Sequence, residues 1–332
     1  MVTLRQVAAA TGVHSTTASV VLNSAEGNTR VGEATRKRIA EAAKRLGYIR
    51  NESASRLRTG KSNAVGFIGG DLRNPFFAEL TAALERELHL HHLQLVLSHV
   101  SSPWSSTFSQ MVEIFQRQRV SKIIYWDESA SRTGSDSPTN SQLLPIGFTI
   151  QPRPGVWLDL DHAVRQGVSY LLEQNRRRVC FFAPAGKRES PSVAKRQKVF
   201  LDECRRRKLQ SATSASYEGE SWDIEAAVKG ARELLKRETS FDAFFGFNDV
   251  ASLGLLLATA NARPKPMVIC FDGSAYTRCW RSRPPVFDLK IAKLAQMAVA
   301  VCVGKQDPNT AGRKEHWLRP ELIPAQPSNS KV

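Results

Sequence analysis

The sequence predicts an all-helical N-terminal unit built as a helix-turn-helix, followed by an α/β core of two doubly wound lobes. Three observations carry the prediction. Residues 1–62 hold three amphipathic helical patterns, two of them closed by Gly12 and Gly47. From Ala64 onward, short apolar runs alternate with longer amphipathic stretches, the pattern of parallel strands joined by helices. The alternation continues for about 270 residues, more than one ordinary sheet absorbs, so two lobes with a cleft at the strands' carboxyl ends are expected.

Thr3-Leu4-Arg5-Gln6 reads as a capping box opening a first helix whose apolar face is Leu4, Val7, Ala8 and Ala10-Thr11. Gly12 ends it in the left-handed turn that glycine adopts without steric cost. His14-Ser15-Thr16 offers N-cap residues for a second helix running to Asn23, with Ala18, Val21 and Leu22 inward and Ser15, Thr16, Ser19 and Val20 outward. A third helix spans Glu33 to Leu46, with Ile39, Ala42, Ala43 and Leu46 apolar and Gly47 at its end. Three such helices also describe a plain small bundle. The placement of charge argues for more.

Residues 1–62 carry eleven Lys and Arg against four Asp and Glu, and the 332-residue chain has a formal net charge of +16. Such a field attracts polyanions, nucleic acid first and an acidic membrane surface second. Outward Ser and Thr on the second helix suit phosphate and base-edge hydrogen bonds in a major groove, while the neighbouring cations suit the phosphate backbone. Five widely spaced cysteines (Cys180, Cys204, Cys270, Cys279, Cys302), with no C-x-x-C pair, disfavour a disulfide framework and a zinc finger. No apolar run approaches the roughly 18 residues that spanning a bilayer requires. Met1 to Gln6 has no basic-then-apolar leader, so a cytoplasmic protein without membrane contact is expected.

The headpiece motifs are specific. Val2-Thr3-Leu4-Arg5-Gln6-Val7-Ala8, Gly12-Val13, Val21-Leu22-Asn23, Arg30-Val31, Thr35-Arg36-Lys37-Arg38-Ile39, Leu46-Gly47-Tyr48, Asn51 and Ala54-x-x-Leu57-Arg58-Thr59-Gly60-Lys61-Ser62 resemble the headpiece of the lactose-repressor (LacI/GalR) family. The resemblance implies a sequence-specific DNA-binding transcription regulator, a repressor under the control of a small-molecule effector. It implies DNA contacts from Thr3, Ser15, Thr16, Thr17, Ser19, Val20, Asn23, Arg30, Arg36 and Tyr48, with Ser15, Thr16 and Val20 at base-reading positions. Val20 departs from the arginine that many members carry; valine can touch a thymine methyl but donates no hydrogen bond. Residues 49–62 form a hinge too short to be a stable helix alone. The resemblance implies that Asn51, Ala54, Leu57 and Arg58 act when this segment folds on operator DNA as a pair, Leu57 wedging into a minor-groove step. A plain linker whose Leu57 packs on the core is the alternative.

In the core, Ala64 to Ile68, Leu93 to Leu97, Lys122 to Trp126, Val179 to Ala183, Ala243 to Phe247 and Met267 to Phe271 read as buried strands. Ala78 to Leu90, Ala163 to Glu173, Ala194 to Arg207, Ile224 to Lys236 and Ala251 to Ala260 read as helices, and Trp157 falls near the crossing between lobes. Asp71-x-x-Asn74-Pro75-Phe76-Phe77, Asp159, Arg196, Trp222, Asn248-Asp249 and Phe271-Asp272 are also similar to the family, whose core is periplasmic-binding-protein-like. Effector contacts from Asn74, Phe76, Asp159, Arg196, Trp222, Asn248 and Asp272 are thereby implied. A guanidinium, carboxylates, an amide and aromatic faces in one cleft suit a hydroxyl-rich ligand of the sugar or nucleoside class. Asn74 and Asp272 also suit plain capping, Arg196 a solvated face and Trp222 a core position.

There is no G-x-S-x-G, Walker loop, G-x-G-x-x-G or H-x-x-x-H pair, so no catalytic residue, metal ligand or cofactor is assigned. His89, His91 and His92, with no acid or cysteine pattern beside them, read as surface or core histidines. Two rival readings are a lobed solute-binding protein without DNA activity and an α/β enzyme using Asp159, Arg196 and Asp272. Pro284-Pro285-Val286-Phe287-Asp288 departs from the family's P-P-L-T-T run. The tail from Pro324 carries no leucine heptads, so a homodimer is expected. The expected organisation is a headpiece at 1–48, a hinge at 49–62 and a core at 63–332. Within the core, the first lobe takes about 63–156 plus 285–312 and the second about 157–284 plus 313–332.

Overall fold

The computed structural model describes residues 2–23, 31–48, 62–99, 106–128, 142–148, 154–185, 190–209, 211–238, 240–280, 282–304 and 315–326. The chain divides into two compact units, Met1–Ser62 and Asn63–Val332.

The first unit contains α1 (Leu4–Thr11), α2 (Ser15–Asn23) and α3 (Glu33–Leu46). Thr3 opens α1 as a reciprocal cap: its Oγ1 accepts from Gln6 N at 3.4 Å, and its own N donates to Gln6 Oε1 at 2.8 Å. Gly12 (φ 64°) and Gly47 (φ 68°) close α1 and α3 in the left-handed region. Val7, Ala8, Ala18, Ile39, Ala42 and Ala43 form the shared core, with Leu4, Val13, Val21, Leu22, Leu46 and Tyr48 packed around it. Four alanines among those six let three short helices approach closely enough to exclude water.

The second unit begins with β1 (Ala64–Gly69), α4 (Pro75–His89), β2 (Gln94–His99), α5 (Ser106–Arg117), β3 (Lys122–Asp127), β4 (Leu143–Gly147) and β5 (Gly155–Leu158). It continues with α6 (Leu160–Glu173), β6 (Arg178–Pro184), α7 (Pro191–Arg206), β7 (Ser211–Tyr217), α8 (Ile224–Arg237), β8 (Ala243–Gly246), α9 (Asp249–Ala258), β9 (Met267–Ile269) and α10 (Ala275–Arg278). It ends with β10 (Val286–Asp288), α11 (Ile291–Cys302), β11 (Glu315–Leu318) and β12 (Glu321–Ile323).

Ten of these twelve strands build two parallel sheets, one per lobe. The first has the order β11-β5-β4-β3-β1-β2 and the second β7-β6-β8-β9. All six residues of β1 are buried, as expected of a strand covered on both faces, whereas the edge strand β2 keeps much of its length exposed. The chain passes between lobes three times: from β5 into α6, from β10 into α11, and from β11 into β12. The sequence reading puts 285–312 with the first lobe and 313–332 with the second. In the structure β10 pairs antiparallel with β12 and bridges to Cys270 of the second lobe, while β11 completes the first sheet beside β5. These crossing strands are three or four residues long, too short for a periodicity that names a lobe.

Among the described residues, no helix is long and apolar enough to cross a membrane.

Candidate nucleic-acid helix and interlobe cleft

In the first unit α2 presents a polar strip. Thr16 is exposed, Ser15, Thr17, Ser19 and Val20 are half-buried around it, and Ala18 is fully buried beneath. His14 Nδ1 lies 2.8 Å from Thr16 Oγ1 and accepts from Thr16 N at 3.4 Å, so the histidine ring holds the start of this helix. Arg36 Nε donates to Val31 O at 3.3 Å, which fixes its stem, and Arg5, Lys37, Arg38, Lys44 and Arg45 are exposed. Thr3 is exposed and Tyr48 rests half-buried on the helical core. Asn23 ends α2. Arg30, Asn51, Ala54, Leu57 and Arg58 lie outside the described residues.

In the second unit, residues that follow β1, β3 and β4 meet residues that follow β7, β8 and β9 across one cleft. Arg73, after β1, lies 3.3 Å from the centre of the Trp222 ring in the opposite lobe and is gripped by both oxygens of Asp71, at 2.9 and 2.5 Å. Deeper in, Arg196 of α7 is only 7% exposed, too little for a solvated surface arginine. Its guanidinium carbon lies 4.2 Å from the Phe247 ring centre, 5.3 Å from Phe271 and 5.6 Å from Phe148 of the first lobe. Nη1 donates to Phe247 O at 2.7 Å and Nη2 to Ser192 Oγ at 3.4 Å, whereas Nε is buried with no hydrogen-bond partner among the described residues.

Carboxylates surround this arginine. Glu128, directly after β3, accepts from Trp126 Nε1 at 2.7 Å. Asp272 stands at φ 78° after β9 and accepts from Asp249 N at 3.4 Å; Asp249 in turn accepts from Ser274 N and Thr277 Oγ1. Burial pushes Asp272 up to about 6, against the pull of Arg196, and burial holds Asp249 well above the usual carboxylate range with Asp272 adding to the effect. Desolvation also raises Glu128. The same burial lowers the Arg196 guanidinium from its ordinary value, opposed by Asp272 and Glu128. On the first lobe, Phe76, Phe77 and Trp126 pack edge to face at 4.8 to 5.5 Å, giving the cleft one aromatic wall.

Residues 3–51 match the family model "Bacterial regulatory proteins, lacI family", and residues 62–267 match "Periplasmic binding proteins and sugar binding domain of LacI family". The chain belongs to the LacI family. This LacI-family protein is a DNA-binding transcription regulator with a sugar-binding-type domain. It is 26% identical over 335 residues to the HTH-type transcriptional regulator GalS of Salmonella typhimurium, covering 97% of this chain and 95% of that one. It is 32% identical over 147 residues to the maltose regulon regulatory protein MalI of Escherichia coli, a match spanning 44% of this chain and 42% of that relative's length. Its fold is that of the lac repressor dimer solved with operator and the anti-inducer ONPF, at a TM-score of 0.82 and 19% identity over 98% of this chain and 99% of that one.

Of the seven cleft residues anticipated for this LacI-family protein, Arg196, Asp272, Asn248, Trp222 and Phe76 stand at the strand ends or helix starts that border the cleft. Asn248 caps α9 through Ala251 N and donates Nδ2 to Ser221 O, which ties two cleft loops together. Asn74 caps α4 by accepting from Phe76 N at 3.1 Å. Asp159 caps α6 and pairs with Arg319 Nε at 3.2 Å, beside two of the crossings between lobes. Sequence reasoning missed Glu128, Phe148 and Phe247 as neighbours of Arg196. Each directly follows a strand, and the rule that ligands gather at strand carboxyl ends is the signal that points to them.

Proposed function

We propose that this LacI-family chain is a cytoplasmic homodimeric repressor whose grip on a near-palindromic operator is set by a sugar or nucleoside bound between the lobes. The observation that carries the reading is Arg196, buried between Phe148 of one lobe and Phe247 and Phe271 of the other with Nε unpartnered among the described residues. A buried donor of this kind calls for an acceptor, and a ligand hydroxyl between Arg196 and Asp272 answers both groups. Asn248, Trp222 and Phe76 complete the wall, while Asn74 and Asp159 act by fixing the starts of α4 and α6. The name of the maltose regulon relative supports the sugar class.

On the DNA side, Ser15, Thr16 and Val20 read base edges. Thr3, Thr17, Ser19, Asn23, Arg30, Arg36 and Tyr48 engage the backbone, and Asn51, Ala54, Leu57 and Arg58 engage the minor groove as the hinge folds. The test is selection of bound sites from random duplexes with and without a panel of sugars and nucleosides. A selected near-palindrome whose affinity shifts about 5- to 150-fold with one compound, and falls on the order of a thousandfold between about 50 and 200 mM salt, is the expected result. Indifference to every compound removes the effector class, and failure to enrich any duplex removes the reading altogether.

A further inference from the structure

The second lobe segregates its charge. The connections leading into β6, β7, β8 and β9 (residues 174–178, 205–210, 236–242 and 259–266) hold eleven Lys and Arg against two acids, Glu238 and Asp242. At the opposite edge of the same sheet, the described residues 185, 190, 218–223, 247–249 and 270–274 hold five acids and no Lys or Arg. The strands are parallel and in register at their starts (Arg178 with Ser211, Val179 with Ala243, Ala243 with Met267), so the four basic connections lie side by side on one end of the lobe.

Helix ends explain only part of this. Four helices, α6 to α9, finish at this face, where one cation per helix would suffice to offset the negative end of the dipole. That accounts for about four cations, not eleven. Four of the nearby acids are also committed. Asp242 accepts from the backbone N of Arg177 and Arg178, Glu238 accepts from Ser240 N, and Asp202 and Glu203 pair with Arg205, Arg206 and Arg207. Among the described residues no ion pair engages Arg176, Arg177, Arg178, Lys208, Lys236, Arg237, Arg263 or Lys265, and all but Arg176 are exposed.

We propose that this end of the second lobe is a second, sequence-independent contact for duplex DNA, separate from the helix-turn-helix. Eight of the eleven cations are arginine, whose planar fork matches phosphate oxygens. None of the large exposed apolar residues falls in these four connections, so the face lacks the apolar and aromatic anchors that centre most protein–protein interfaces. Four strand starts span about 14 Å, a length over which a duplex presents on the order of eight phosphate charges. This face is independent of whatever effector binds between the lobes.

The test uses the full-length protein and amine-specific labelling read by mass spectrometry, with a long duplex lacking any selected operator. Labelling of Lys208, Lys236 and Lys265 falls severalfold on adding the duplex, together with Lys37 and Lys44 of the headpiece, while Lys293 on α11 is unchanged. Protection confined to Lys37 and Lys44 overturns the proposal, and equal protection by polyglutamate or by anionic vesicles overturns the choice of DNA. A variant carrying Arg177→Gln, Arg178→Gln, Lys208→Gln and Lys265→Gln, with its melt checked, lowers the log–log salt slope of non-operator binding by about 0.9 for each phosphate no longer neutralised. An unchanged slope in a folded variant counts equally against it.

Discussion

The Arg196 guanidinium stacks 4.2 Å from the centre of the Phe247 ring and donates through Nη1 to the carbonyl oxygen of the same residue at 2.7 Å. One residue at the end of β8 therefore supplies both the flat surface and the acceptor that hold the arginine before any ligand arrives. A planar fork uses both; an ammonium uses only the second. Arg196→Lys is expected to lose about one to two orders of magnitude in effector affinity while operator binding without effector stays within a few fold. Calorimetry with the selected effector and a filter-binding titration measure the two, and an effector affinity equal to the parent's removes the arginine from the site.

Asp272 titrates near 6 because burial outweighs the nearby Arg196. Its folded-state value lies above the ordinary carboxylate value, so the folded chain holds this proton more tightly than the unfolded one, and stability falls as pH rises from about 4 to 6 and then levels. Asp272→Asn removes that cost and still tolerates the left-handed backbone at φ 78°. The variant is expected to be more stable by about 1 to 3 kcal/mol at pH 7 and no more stable at pH 4, while binding effector more weakly. Denaturant melts at the two pH values decide it; a loss of stability at both contradicts the assignment.

Gly12 and Gly246 give opposite kinds of substitution. A Cβ at Gly12 meets nothing within 4 Å, so Gly12→Ala costs only the left-handed backbone, about 1 kcal/mol, and falls on the first unit. Weaker DNA binding with unaltered effector binding is expected. A Cβ at Gly246 would lie 2.1 Å from Ser252 Oγ and 3.1 Å from its Cα, so Gly246→Ala strikes the second lobe and effector binding instead. Two separately assignable melting transitions, each shifted by one substitution only, are the readout.

Arg73 reaches Trp222 across the mouth of the cleft, and Asp71 holds it there. Arg73→Ala and Asp71→Asn are both expected to change tryptophan emission in the unliganded protein and to speed effector release a few fold with little change in association, since the contact bridges the two lobes. Stopped-flow fluorescence separates the two rates. Faster association with unchanged release would place the residue in a gate rather than a latch.

Much of the fold was legible in residues with fixed local meaning. Gly12, Gly47 and the Thr3–Gln6 box bound α1 and α3 without tertiary information, and the apolar runs of β1, β3, β6 and β8 announce buried parallel strands. Four core helices begin two or three residues earlier than their apolar periodicity suggests, because Asn74-Pro75, Asp159, Ser190-Pro191 and Asn248 are start signals that precede the first inward side chain, whereas α8 begins at Ile224 as read. β7, Ser-Ala-Thr-Ser-Ala-Ser-Tyr, has no strand-like alternation and is a strand through its pairing with β6, while β4 hides behind Pro145. In the cleft, Arg196 and Asp272 are marked by family resemblance. The neighbours Glu128 and Phe148 become visible only when sheet order shows which strand ends face one another, and the Arg319 that occupies Asp159 lies 160 residues away in sequence.

The chain enters the second unit through β1, an interior strand of the six-stranded sheet, and reaches the second lobe only by the three crossings. The headpiece is therefore tethered covalently to one lobe alone. On the proposed reading, a ligand between the lobes acts on the headpiece only through the lobe that carries it, so stiffness at β5, β10 and β11 is expected to govern how much of each binding event is passed on.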